Sequence, residues 1–98
     1  MILKYIMSVG FKMEKDGEQR IAGGLASDYS IDNLKGLYLE EKEIIIQSEG
    51  HEYRFKVKKS EIATSIIEQV NLGLSLYKSA DFHKVKLGDK VHISIEHH

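Results

Sequence analysis

The stretch EIIIQSEGHEYRFKVK, residues 43–58, contains the pattern that decides the fold. In its second half, apolar and charged side chains alternate strictly, which is typical of a strand with one buried and one solvated face. A two-residue loop at Glu49 and Gly50 predicts a β-hairpin, and a slip of one residue would set isoleucines against charged side chains. The expected cross-strand pairs are Glu43–Lys56, Ile44–Phe55, Ile46–Tyr53 and Ser48–His51.

Ile45 is the exception to this pattern, because the predicted register turns it outward beside Arg54. Two interpretations are open. Ile45 either covers the second face of the sheet beneath another element, or it belongs to a contact surface. Three consecutive isoleucines suit a central strand that is buried on both faces. If this hairpin has a functional surface, we expect it on the outer face. We therefore name Ile45 and Arg54 as a candidate interaction surface.

Composition indicates one small globular domain over residues 1–95. The chain has 98 residues, 42% of them hydrophobic and 30% charged, which is ordinary for a globular protein. A core of this size is limited, so dimerisation would be a natural supplement. The closing residues 96–98, Glu-His-His, resemble the start of a purification tag, and we exclude these histidines from metal reasoning.

Charge and cysteine content exclude several classes of function. The net charge of −1 disfavours general attraction to nucleic acid or to an anionic membrane. The absence of cysteine excludes a disulfide framework, thiol catalysis and zinc sites that need thiolates. Residues 2–7 are too short, and too interrupted by Lys4, to be a signal peptide or a membrane span. We therefore expect a cytoplasmic protein.

The N-terminal segment predicts a second hairpin. Over residues 2–14 the odd-numbered positions are all apolar, so we expect a long strand whose stripe faces the core, with a bend or bulge near Gly10. Asp16-Gly17 is a strong turn signal, and the return strand covers about residues 18–27. Within that strand, Gly23-Gly24 indicates a bulge or a close backbone contact.

The stretch that follows the central hairpin has the spacing of a helix. Ile62, Ala63, Ile66, Ile67 and Val70 form one apolar stripe, with Ser60 as an N-cap. Alternation with period 2 returns over about residues 72–77, 82–87 and 91–95. The sequence therefore predicts an α+β fold. It is mainly antiparallel β, with about seven strands in a sheet or small barrel and one packed helix at about residues 60–71.

The candidate chemistry is sparse. His51, His83 and His92 have neither metal-ligand spacing nor a nucleophile context, so we predict no catalytic residue, no metal site and no cofactor. Cations on the outer face of the central hairpin could lie near others from the C-terminal segment and form a ligand-binding face. The candidate ligand-binding residues are Arg54, Lys56, Lys58, Lys84 and Lys86.

These observations favour a non-enzymatic binding or protein-interaction domain that self-associates as a homodimer. The motive is apolar material on both faces of the central strands, together with the lack of a catalytic motif. The alternative is a β-barrel that binds a small ligand, a nucleotide or nucleic acid through the basic strand face. Neither hypothesis names a specific ligand.

Overall fold

Seven antiparallel strands form one sheet in the computed structural model, which describes residues 2–26, 39–64 and 70–95. The strand order is β1-β7-β4-β5-β6-β3-β2. A short 3₁₀ helix, Ala80–Lys84, precedes the last strand. The strands are β1 (Ile2–Ser8), β2 (Phe11–Lys15), β3 (Glu18–Gly24), β4 (Glu43–Ser48), β5 (His51–Thr64), β6 (Val70–Leu76) and β7 (Lys90–Ile95).

The central hairpin is formed by β4 and β5 in the predicted register. Glu43 lies opposite Lys56 and Ile44 lies opposite Phe55, and the remaining predicted pairs are present as well. The turn residues Glu49 and Gly50 both have positive φ, 49° and 82°, as a two-residue hairpin loop requires. The pairing predicted from the alternation of apolar and charged residues is therefore confirmed.

Strand β5 joins two halves of the sheet. Its first part pairs with β4 and its second part with β6, and the register shifts between Val57 and Lys59. Lys58 is the extra residue of this β-bulge. A bulge bends its strand and changes which residues face the core. One half therefore contains β1, β7, β4 and the start of β5, and the other contains the end of β5, β6, β3 and β2.

The N-terminal segment crosses between the same two halves at Val9 and Gly10, where β1 ends and β2 follows. The backbone of β3 comes very close to this crossing. A Cβ atom on Gly23 would lie 1.7 Å from the carbonyl oxygen of Ser8. The bend expected near Gly10 and the close contact expected at the glycine pair are confirmed. The sheet is not closed into a barrel, and β1 and β2 stand at its two ends.

An apolar core connects the two halves, because both contribute inward side chains to one cluster of described residues. Leu25 and Tyr53 pack against it while partly exposed. Burial of apolar surface on this scale is the main stabilising term of a small domain. The cluster contains Ile6, Met7, Val9, Ile21, Leu39, Ile44, Ile46, Phe55, Val57, Leu72, Leu74, Leu76, Phe82, Val85, Val91 and Ile93.

The helix predicted at about residues 60–71 is wrong. Strand β5 continues to Thr64, where Ile62 pairs with Leu72 and Ala63 with Asn71 on β6. A helix of about three turns is marginal unless tertiary contacts stabilise it, and β-branched residues give up side-chain freedom in a helix. The long ladder with β6 satisfies the same backbone groups. Residues 65–69 lie outside the described ranges.

The strand predicted at about residues 82–87 is also wrong, because a 3₁₀ helix occupies its first part. The side chain of Ser79 caps this helix by accepting a hydrogen bond from the backbone N–H of Asp81. The helix turns Phe82 into the core, where its ring meets Phe55 edge to face at 6.4 Å. His83, which follows Phe82 in this helix, is exposed.

The odd-numbered stripe of the N-terminal segment does not face the core throughout. A register shift between Tyr5 and Met7 and the break at Gly10 both interrupt the alternation. Ile6 and Met7 are fully buried, whereas Tyr5 is 37% exposed and Phe11 is 53% exposed. Phe11 therefore lies on the surface, contrary to expectation.

The tag-like residues 96–98 lie outside the described ranges. No helix among residues 2–26, 39–64 and 70–95 is long and apolar enough to cross a membrane.

Candidate functional site

Two of the five predicted ligand-binding cations lie together on the outer face of β5. The guanidinium of Arg54 is 2.6 Å from a carboxylate oxygen of Glu43 on β4. The ammonium of Lys56 is 3.2 Å from a carboxylate oxygen of Glu41 and 5.5 Å from the centre of the Tyr77 ring. Both cations are therefore engaged with groups of the chain itself.

Lys84 and Lys86 lie at the turn end of the central hairpin instead. Lys84 is 3.4 Å from Asp81 and its ammonium sits 5.4 Å from the centre of the Tyr53 ring. Lys86 forms an ion pair with Glu49. Tyr53 faces the core side of β5, whereas its neighbour Arg54 faces outward, because successive side chains of a strand alternate.

The structure therefore does not bring the predicted cations into one patch. Arg54 and Lys56 form one group, Lys84 and Lys86 form another, and Lys58 lies in the bulge of β5. All four ion-paired cations are about half exposed, so their ion pairs contribute little to stability. Their charge is nevertheless locally balanced by carboxylates.

Hydrogen bonds at these pairs change the protonation equilibria of the groups involved. The Tyr77 hydroxyl donates to the Glu41 carboxylate, and this bond, with a smaller contribution from Lys56, lowers the pKa of Glu41. The same bond raises the pKa of Tyr77. The bond between Lys86 and Glu49 lowers the pKa of Glu49 and raises the pKa of Lys86. At neutral pH both carboxylates are thus held ionised beside their cations.

The candidate interaction residue Ile45 lies in a cross-strand row on the outer face, with Arg54 on one side and His92 on the other. Tyr5 extends the row on β1. Ile45 is only 1% exposed, although it belongs to no part of the main core cluster. Its burial within the chain favours the interpretation that it covers the second face of the sheet, and Arg54 is the accessible member of the pair.

The histidines do not converge on a site. His51 is in the hairpin, His83 is in the 3₁₀ helix, and the buried Nδ1 of His92 has no hydrogen-bond partner within the part of the chain that the structure describes. Over those same residues, no group of three metal-ligating side chains occurs.

One open cleft of about 370 Å³ lies between the β4–β5 turn and the turn before β7. Its lining is mostly polar, with three carboxylates beside one histidine and one lysine. One of those carboxylates, on Asp89, already accepts the backbone N–H of Lys86, and another, on Glu49, is paired with the Lys86 ammonium. The lining residues are Gln47, Glu49, Gly50, His51, Glu52, Gly88, Asp89 and Lys90.

A different surface, at the β2 end of the sheet, was missed by the sequence reasoning. Phe11, 53% exposed, lies beside Ala22 on β3, which in turn lies beside Gly73 on β6. These small neighbours leave the ring standing above the sheet. Met13 shares the outer face of β2 and is partly exposed. Gly10 was the sequence feature that could have indicated this exposure, because a break in the strand at Gly10 changes which of the following side chains face the core.

Strand β2 is also the edge of the sheet, paired with β3 on one side only within the described chain. An edge strand presents unpaired backbone N–H and C=O groups, which can pair with another strand. Apolar side chains therefore coincide at this edge with backbone groups that have no strand partner among the described residues.

Comparison of the chain with protein-family models, with curated proteins and with solved structures finds no match.

Proposed function

We propose that the chain is a non-enzymatic protein-interaction domain that self-associates as a homodimer through the β2 end of its sheet. The observation that carries the proposal is the exposed ring of Phe11 on an edge strand, with Met13 two residues along on the same face. Exposed apolar groups next to unpaired backbone are typical of association surfaces.

The size of the effect follows from the exposed area. Complete burial of a phenylalanine side chain contributes roughly 1.5–3 kcal/mol, so covering the exposed half of Phe11 contributes about 1 kcal/mol. A symmetric dimer contains this contact twice, which gives about 2 kcal/mol. Loss of both contacts should weaken the dimer roughly thirtyfold, since every 1.4 kcal/mol is a factor of ten.

Light scattering after size exclusion tests the proposal over a range of protein concentrations. The Phe11→Ser variant should shift the equilibrium toward the monomer. Leu87→Ser is a matched control, because Leu87 is 67% exposed but lies in the turn before β7. A strictly monomeric wild type, or equal weakening by both variants, would contradict association through β2.

The alternative, a ligand-binding β-surface, needs cations that are available to phosphate groups. Arg54, Lys56, Lys84 and Lys86 are each paired with a carboxylate, and they lie in two separate groups. A basic strand face is therefore the weaker proposal. A thermal-shift series with nucleotides and oligonucleotides should give no change in Tm, and a salt-sensitive increase would favour ligand binding instead.

A further inference from the structure

We infer that two copies of the chain pair through β2 in antiparallel orientation, with Met13 on the twofold axis. This inference rests on the proposed self-association and adds the partner surface and its register. The two sheets would then continue into each other across the dimer. The twofold would set each chain's Met13 opposite the other's, Lys12 opposite Glu14, and Phe11 opposite Lys15.

The argument starts from the faces of β2. Lys12 faces the core side, where its ammonium donates to the carbonyl of Val85 at 2.8 Å and lies 4.8 Å from the centre of the Phe82 ring. Glu14 shares that side, because side chains two apart lie on one face. Phe11, Met13 and Lys15 share the outer face. Residues directly opposite each other on neighbouring strands lie on the same face of a sheet. A twofold axis between two copies of β2 must therefore pass through a residue position, because an axis between two residues would set inner-face side chains opposite outer-face ones.

Charge then selects among the three possible centres. A centre at Lys12 places two lysines opposite each other, and a centre at Glu14 places two carboxylates opposite each other; both arrangements are unfavourable. A centre at Met13 instead makes two Lys12–Glu14 pairs. Lysine on an edge strand normally discourages pairing. Here the sequence FKMEK is self-complementary, so that the same lysine favours one partner and one register.

The outer face agrees with this register. The exposed ring of Phe11 would lie directly across from the Lys15 side chain of the second copy, whose methylenes and ammonium can cover the ring. The two Met13 side chains would meet at the axis and cover each other. A symmetric contact of this kind is closed, so the assembly stops at a dimer.

Cysteine cross-linking tests the register directly, because the chain contains no cysteine of its own. Opposite residues of an antiparallel pair have Cα atoms about 4.5–5.5 Å apart, which a disulfide spans. The Met13→Cys variant should therefore form a covalent dimer under mild oxidation. Lys15→Cys is the matched control: two such positions would be four residues apart, about 13 Å, and should not link. A mixture of Phe11→Cys and Lys15→Cys chains should link with each other.

The outcomes separate the register from self-association itself. Cross-linking of Met13→Cys but not of Lys15→Cys alone supports the register. A wild type that is dimeric by light scattering while Met13→Cys links no faster than Lys15→Cys overturns the register and leaves self-association standing. A wild type that is monomeric overturns both.

A charge variant gives an independent readout. Glu14→Lys places two lysines opposite each other twice across the axis and should raise the dimer Kd at least tenfold, with recovery at high salt. Circular dichroism and the Tm of the Glu14→Lys protein serve as the control that the variant is folded. An unchanged Kd in a folded Glu14→Lys protein would overturn the pairing of Lys12 with Glu14.

Discussion

Replacement of Gly23 by alanine should disrupt the close contact between β3 and the crossing from β1 to β2. The new Cβ would lie 1.7 Å from the carbonyl oxygen of Ser8, 2.9 Å from its carbonyl carbon and 3.1 Å from the backbone nitrogen of Gly10. All three are backbone atoms and none can rotate away. The crossing from β1 to β2 would have to move off β3.

The expected cost follows from overpacking. Forcing extra atoms into a packed site costs typically 1–3 kcal/mol, while replacing a strand glycine by alanine returns roughly 0.5–1 kcal/mol. Because the obstacle is backbone, we expect the upper part of the range, a net loss of about 2 kcal/mol in the free energy of unfolding. For a domain of this length, this corresponds to a fall in Tm of roughly 8–16 °C.

Urea unfolding followed by circular dichroism measures this loss, with Gly73→Ala as a matched control. Gly73 is also a strand glycine, but its nearest atoms to a new Cβ lie at 3.8 and 3.9 Å, which is ordinary contact. That variant should be neutral or slightly stabilised. If Gly23→Ala proves as stable as Gly73→Ala, the close approach of β3 to the β1–β2 crossing is refuted.

Two further predictions concern the outer surface. Tyr77→Phe should raise the pKa of Glu41, which NMR reads from the chemical shift of its side-chain carboxyl carbon. Because the pKa of Glu41 is lowered in the folded wild type, the stabilisation linked to it is present above the ordinary glutamate pKa and is lost as pH falls through the lowered value. An unchanged titration of Glu41 in the variant would contradict the hydrogen bond from Tyr77. Ile45→Ala should lower the free energy of unfolding by about 2–5 kcal/mol, because Ile45 is buried. Gln47→Ala is the control: Gln47 is exposed on the same strand, and its replacement should change the free energy of unfolding by less than about 0.5 kcal/mol. Equal effects of the two substitutions would show that Ile45 is not packed inside the chain.

The central hairpin could be predicted in register because its information is local. The turn Glu49-Gly50 fixes which residues are opposite, and any slip exposes isoleucines to charged neighbours. The same reasoning failed for Ile62 and Ala63. Their spacing fits a helix, but pairing with β6 holds them in a strand, and the competition between the two is decided by contacts distant in sequence.

For the candidate surfaces, too, local features could be predicted from the sequence, whereas features that depend on distant contacts could not. Arg54 and Lys56 lie on the outer face of β5, as the alternation predicted, whereas Lys58 lies in the bulge. Their carboxylate partners could not be anticipated in full, because Glu41 reaches Lys56 only through the fold. The exposure of Phe11 was missed for a related reason. The break at Gly10 is visible in the sequence, but the direction of the turn is not.

The sequence by itself determined the antiparallel character of the sheet and the register of its central hairpin, and it predicted a bulge or a close backbone contact at the glycine pair. These depend on period-2 alternation and on turn residues, which act over a few positions. Only the tertiary structure decided that β5 runs past its bulge to Thr64, and that Phe11 stands on the open edge. Bulges at Ile6 and Lys58 each change the face that a strand buries, and their positions depend on which strands they join.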